Sequence, residues 1–330
     1  MGSLAAFPWR NRKAAVGFYG TVAFLTLILT FWHHTERGQY TVGTANTPKP
    51  PKTHIAPKAP LIPQKIWQIW FQQDGAAEHY LHNPQLRETA TWVGMNSDHQ
   101  YRLVGRSWGD NYVQQHFNRA ADKDLVDTYL AVRNHGLKSD LLRYLILYNE
   151  GGVYSDIDTI AMKPIKDWVP RHLRDTVKLV VGIEFDRRDG GMWSEIPHDL
   201  QFCQWTIAAA PGHLVFRAMA DRALASLHKL TVAYDTTMAE LKPTSFETMN
   251  STGPAAWTDV VFEQIQQARP GITTLANLSR IQEPQLYGDI LVLGIDGFGM
   301  GQPHSGATND GSIPEAALVK HLFRGSWRNS

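Results

Sequence analysis

Cysteine is nearly absent: Cys203 is the only one among 330 residues, so no disulfide forms within the chain and a disulfide scaffold is excluded. No sign of charge dominates either. Thirty-two basic residues face 31 acidic ones, for a formal net charge of +1, which lacks the basic excess of a nucleic-acid binder. The 14 histidines show no HExxH spacing, so zinc chemistry of that type has no support. Aromatic residues, by contrast, are plentiful. Eleven Trp, 11 Tyr and 13 Phe supply far more buriable surface than a disordered chain carries.

One long hydrophobic run is present, and no second run of spanning length follows it. Ala14 to Trp32, AAVGFYGTVAFLTLILTFW, holds no charge and comes just after Arg10, Arg12 and Lys13. As a helix it would reach roughly 28 Å, about the hydrocarbon thickness of a bilayer. Basic residues ahead of the run keep residues 1–13 cytoplasmic and place the remainder across the membrane, a type II topology. A cleaved signal peptide is the competing reading, but the run exceeds the usual apolar core of such peptides and no clean small-x-small site follows it. Residues 33–60 are rich in Pro, Thr and Lys, with Pro48, Pro50, Pro51, Pro57 and Pro60, and read as an extended stem. From 61 to 330 no linker or repeat interrupts the chain, a suitable length for one catalytic domain.

Strand and helix signals alternate through this body. Lys65 to Phe71 reads as a first strand, Leu125 to Asn149 as a helix capped internally by Ser139, and Val153 to Met162 as a strand after Gly151-Gly152. Val177 to Phe185 and Asp289 to Ile295 read as further strands. Gln201 to Ala210, Leu214 to Leu230 and the tail after Pro314 read as helices. Such interleaving predicts an α/β fold with a mainly parallel central sheet covered on both faces.

The segment that carries chemistry is Ser139 to Thr159, SDLLRYLILYNEGGVYSDIDT. An extended strand there would put Asp156 and Asp158 on one side about 7 Å apart at their Cα atoms, a hard-oxygen pair suited to Mg²⁺ or Mn²⁺ shared with phosphate. Asp140 and Arg143 lie three apart on one helical face and can meet the same ligand from the side. A lone DxD is more often a solvated acidic turn. The apolar helix, double glycine and strand that lead into this one favour a site.

This run resembles the donor-binding core of glycosyltransferase family 32, the DxD-containing group that includes fungal Golgi initiation-specific α-1,6-mannosyltransferases. Three more blocks are similar to the family in the expected order: IPQKIWQIW from Ile62, STGPAAWTDVVF from Ser251 and HLFRGSW from His321. The resemblance implies a GT-A fold with a Rossmann-like nucleotide-sugar-binding domain, a GDP-mannose donor and Mn²⁺-dependent, configuration-retaining transfer. By that resemblance Asp156 and Asp158 bind the metal and the donor diphosphate, while Asp140 and Arg143 contact the sugar and position the DxD. Trp67 would form an aromatic floor at the base, His321 and Ser326 would complete the metal shell, and Trp327 would reach the β-phosphate. The expected acceptor is an N-glycan core on a glycoprotein, and the expected setting is the Golgi membrane, within a mannosyltransferase complex. GIDGFGMGQPHSG, from Gly294, departs from the family's loop and leaves the role of His304 open.

Alternatives stay open at this point. Retention can use a carboxylate nucleophile or front-face attack, and no carboxylate outside the DxD singles itself out. Asp259 is either an acceptor-side group or an ordinary helix N-terminal acid. Trp193 is either an acceptor platform or a core residue. DIDTI also resembles the loop of aspartyl-phosphate phosphohydrolases, and an inactive sugar-binding relative would keep the pocket. A family member with another donor or a sphingolipid acceptor would share the same DxD block. Asp296-Gly297-Phe298-Gly299 reads as a turn, Cys203 as a buried small hydrophobe, and Asn250 and Asn277 as sequons.

Overall fold

A computed structural model describes residues 60–71, 86–191 and 196–325, all within one compact unit, Lys58–Ser330. The expected tail, anchor and stem (1–13, 14–32 and 33–60, apart from Pro60), together with Trp193, Ser326 and Trp327, lie outside the described residues. Among the described residues no helix is long and apolar enough to cross a membrane.

In chain order the strands are β1 (Lys65–Ile69), β2 (Gln100–Val104), β3 (Gly152–Ser155), β4 (Thr159–Ala161), β5 (Leu179–Asp186), β6 (Leu200–Phe202), β7 (Thr206–Ala209), β8 (Gln285–Tyr287), β9 (Ile290–Leu293) and β10 (Val319–His321). The helices are α1 (Thr89–Met95), α2 (Arg106–His116), α3 (Lys123–Ala131), α4 (His135–Glu150), α5 (Leu214–Ala233), α6 (Ser245–Ser251), α7 (Pro254–Ala268) and α8 (Ile295–Gly299). The main sheet runs β2-β1-β3-β7-β5-β9-β8, with β6 paired to β5. Along that path only β7 and β8 run against the rest, so the sheet is mixed but mainly parallel.

Side chains alternate across this sheet with the period of two that a strand imposes. Tyr154, Leu179, Val181, Ile207, Ala209 and Val292 join one core with Leu141, Leu145, Phe216 and Trp257 of α4, α5 and α7. Val153, Val180, Ala208, Leu291 and Leu293 face a second core with Trp92, Trp168 and Phe298. Both faces are covered, so the strands are apolar throughout rather than alternating.

Besides the strand expected over Val153–Met162, which the DxD turn divides, three expected elements differ. The helix expected over Leu125–Asn149 is two helices, and the cap of the second is Asn134, whose side chain accepts from Leu137 N at 3.0 Å, rather than Ser139. The helix expected over Gln201–Ala210 is β6 and β7. Its small residues have good helix propensity, but β7 is buried between β3 and β5, and tertiary pairing overrides that propensity. The tail after Pro314 is not helical; it forms β10, antiparallel to β4.

Gly152 holds the turn from α4 into β3. Its φ is +96°, and a Cβ there would lie 2.6 Å from the Lys65 carbonyl oxygen on the paired strand. Gly152→Ala is therefore expected to destabilise the protein by about 3 kcal/mol, read as a lower urea midpoint.

Candidate active site

Strand order sets the place of the site. β1 is flanked by β2 and β3, so the connections leave β1 and β3 in opposite directions and open a crevice at their carboxyl ends, where ligands of such sheets bind. A cavity of about 360 Å³ lies there. Ile69, Trp70 and Phe71 line it from the end of β1, Asp156 to Asp158 from the end of β3, and Gly253 and Pro254 from the start of α7.

The DxD is a turn rather than the continuous strand expected over Val153–Met162: β3 stops at Ser155 and β4 starts at Thr159. The turn brings the carboxylates together where a strand would hold them apart. Buried hydroxyls pin it, with Ser155 Oγ 2.8 Å from Thr159 Oγ1 and 2.7 Å from Thr206 Oγ1. Gln68 Nε2 donates to Asp156 O at 2.9 Å.

β10 supplies the third member. Its pairing places His321 opposite Thr159, and the Asp156, Asp158 and His321 ligand atoms lie within 4.8 Å of one another. His321 Nε2 is 3.2 Å from Asp158 Oδ1, and the imidazole stacks on Trp205 at 4.7 Å with 7° between planes. Arg324 N donates to Asp158 Oδ2 at 3.0 Å. Burial raises the Asp158 carboxyl, but the hydrogen bond and charge of His321 outweigh it and hold the group below its ordinary value. Asp156 goes the other way: burial lifts its carboxyl, Arg143 opposes and Asp158 adds.

Two close carboxylates and an imidazole fit a divalent cation, which would relieve the repulsion between Asp156 and Asp158. His321 Nδ1 is buried with no hydrogen-bond partner among the described residues, an orphan that a rearranged ligand shell would use.

Beneath the turn, Arg143 Nη2 lies 2.8 Å from Asp140 Oδ1 and Arg143 Nη1 lies 3.2 Å from Asp156 Oδ1, with the guanidinium over the Tyr154 ring. Arg143 thus holds both carboxylates. The Tyr154 hydroxyl donates to Asp156 Oδ1. Asp140 also accepts from Gln204 Nε2 at 2.9 Å and from Thr252 Oγ1 at 2.8 Å. Burial pushes its carboxyl up to about 6 despite Arg143. Gln204 in turn accepts from the Tyr144 hydroxyl.

Several expected contributors lie elsewhere. Trp67 does not line this cavity. Its indole donates to Gly151 O at 2.9 Å and packs beside Trp108, so the aromatic residues that β1 brings to the crevice are Trp70 and Phe71 at its end. Asp259 pairs with Arg222 and His198 outside the cavity. His304 meets Ser305 and Phe185, also outside it. Asp296 to Gly299 belongs to the short α8, and Cys203 is fully buried. Of the sequon at Asn250, Thr252 is wholly buried on Asp140.

Gln204, Thr252, Tyr154 and Glu184 were not singled out by sequence reasoning. Of these, Tyr154 lies inside the Ser139–Thr159 run and Thr252 inside the STGPAAWTDVVF block, segments already marked. Glu184 lines the cavity from β5, and burial pushes its carboxyl up to about 8 against the hydrogen bond from Gln201. A carboxyl raised from an ordinary 4.5 adds stability that is fully present below pH 4.5 and is lost as pH rises through about 8. The melting temperature of the native chain relative to Glu184→Gln is expected to fall by at least about 3 °C between pH 5 and pH 9. A constant difference would show that Glu184 is already ionised in the fold.

The parallel crevice, acidic turn and buried arginine are the arrangement of an enzyme that handles a sugar phosphate, of the DXD transferase class. Comparison with known proteins agrees. Residues 77–175 match the family model described as a glycosyltransferase sugar-binding region containing the DXD motif. The initiation-specific alpha-1,6-mannosyltransferase of Schizosaccharomyces pombe is 32% identical over 270 residues, covering 81% of this chain and 64% of that protein. That of Candida albicans is 30% identical over 292 residues, covering 81% and 72%. Among solved structures, PaToxG glycosyltransferase aligns at 16% identity and a TM-score of 0.41, covering 66% of this chain and 74% of that one. The chain belongs to this DXD-containing glycosyltransferase family, and the match spans just under two thirds of its S. pombe relative.

Proposed function

We propose that the protein transfers mannose from GDP-mannose, in α-1,6 linkage and with retention, to an N-glycan core. The observation that carries the reading is the convergence of Asp156, Asp158 and His321 at a crevice lined by Arg143, Trp70 and Phe71. The names of the relatives supply the sugar and the linkage. An imidazole beside two carboxylates suits Mn²⁺ better than Mg²⁺. Bound there, such an ion supplies Lewis acidity toward the leaving diphosphate.

The chain's own residues do the rest. Arg143 holds Asp156 in place and adds positive charge near the departing phosphate, where negative charge grows as the C–O bond breaks. Asp140, fixed by Arg143, Gln204 and Thr252, faces the cavity as an acceptor for sugar hydroxyls. Trp70 and Phe71 offer apolar surface to the base.

The anchor-and-stem pattern of residues 1–60 supports a type II protein of the Golgi membrane with its catalytic part in the lumen, working in a mannosyltransferase complex. The test is incubation of the full-length chain with GDP-mannose, Mn²⁺ and an N-glycan core, with the product linkage read by NMR. A new α-1,6-linked mannose is expected. Transfer to a sphingolipid instead, or release of phosphate from monoesters, would overturn the reading.

A further inference from the structure

Four carboxyl side chains line the cavity among the described residues, and three are each held by two or more partners. Asp140 is held by Arg143, Gln204 and Thr252, Asp156 by Arg143 and Tyr154, and Asp158 by His321 and Arg324 N. The fourth, Glu184, has no cationic partner among the described residues. Its Oε1 receives one long contact, 3.4 Å from Gln201 Nε2, and its Oε2 has no partner among the described residues. A buried carboxyl left this open costs stability unless a ligand completes it.

Backbone geometry aims Glu184 at the cavity. The pairing of β5 with β6 shifts register between Ile183 and Phe185, which makes Glu184 the bulged residue of β5. Bulges re-aim side chains and concentrate beside active sites. Just before the bulge, Cys203 N donates to Gly182 O at 3.0 Å, and the next two residues, Gln204 and Trp205, line the same cavity as Glu184. Those two residues join it to the rest of the site: Gln204 donates to Asp140, and Trp205 O accepts from Asp156 N. Trp205 lines the same cavity, and its Nε1 is likewise buried and unpartnered.

An open carboxyl and an open N–H on residues that line one cavity, with no counter-charge, are a match for hydroxyl groups. A diphosphate calls for positive charge, which Glu184 does not supply, and belongs with Arg143. We propose that Glu184 hydrogen-bonds a hydroxyl of the transferred hexose and so reads the donor sugar, with the Trp205 N–H as its complement. This assignment rests on the donor reading above. Burial keeps Glu184 largely protonated near neutral pH, so it donates as well as accepts, as a hydroxyl requires.

The test compares two ligands on the full-length chain by calorimetry in Mn²⁺: GDP, which lacks the hexose, and GDP-mannose. Glu184→Ala is expected to weaken GDP-mannose about tenfold and GDP less than about twofold, since one hydrogen bond to the sugar is lost and nothing else. Glu184→Asp, which keeps the carboxyl but falls a methylene short, should behave like Ala. Glu184→Gln, which keeps the reach and one donor and one acceptor, should lose less than about threefold, and being isosteric it guards against a folding failure. A purely structural role would leave the ratio of the two affinities unmoved in all three variants, and that result overturns the assignment alone. Native chain that binds neither ligand overturns the donor reading and this assignment with it.

Discussion

Asp158→Asn is expected to reduce Mn²⁺-dependent transfer at least about a hundredfold while shifting the melting temperature by no more than about 3 °C. The two effects separate because of what Asp158 touches. Its oxygens face His321 Nε2 and Arg324 N, and an asparagine keeps the shape and one acceptor for the backbone N–H. What it loses is charge. Asp158 is the carboxylate held below its ordinary value, hence ionised and ready to bind a cation, whereas Asp156 is raised and already committed to Arg143. Removing the negative charge beside Asp156 also relieves repulsion in the metal-free fold. A variant that stays active and still responds to Mn²⁺ would show that the cation sits elsewhere.

Arg143→Leu should have the opposite signature, with stability failing along with activity. The guanidinium is 6% exposed and its partner Asp140 7%, so truncation leaves a buried carboxylate without its cation. Breaking such a pair costs about 3–5 kcal/mol, far more than an exposed ion pair is worth. Tyr154 loses the cation over its ring as well. Arg143→Lys should recover part of the stability, because the charge returns, but little activity, because a single ammonium cannot span Asp140, Asp156 and Gln204 O as the planar fork does. Urea unfolding of the two variants beside the native chain checks this. Equal midpoints for Leu and native would mean that Asp140 is neutral and that the pair contributes nothing.

How far the sequence carried this account depends on the range of the contacts involved. Asp140, Arg143, Asp156 and Asp158 stand within 19 residues on one helix, a double glycine, a strand and the turn that follows it, so their nearness along the chain was legible although the turn itself was not. His321 was reached through its resemblance to a family block. The physical cause of its position, pairing of β10 with β4, was hidden because the tail after Pro314 has a helical pattern and its partner strand lies about 160 residues away.

Trp67 fails for a subtler reason. Strand alternation gives its face but not which end of the sheet opens into the crevice, and the β1-β3 switch puts that opening beyond Ile69. Gln204 and Glu184 were invisible for a third reason. Each owes its position to a feature without local signal, the non-helical course of residues 200–209 and the bulge on β5. The mixed, mainly parallel sheet was legible because both of its faces are buried and its strands are apolar runs.

The central claim is that the crevice binds a guanosine diphosphate sugar through a cation held by Asp156, Asp158 and His321. Calorimetric titration of the full-length chain with GDP-mannose, with and without Mn²⁺ and with UDP-galactose as the control donor, tests it most directly. The account predicts binding of GDP-mannose only when Mn²⁺ is present and no comparable binding of UDP-galactose. Equal binding without the metal, or preference for the uridine donor, would contradict it.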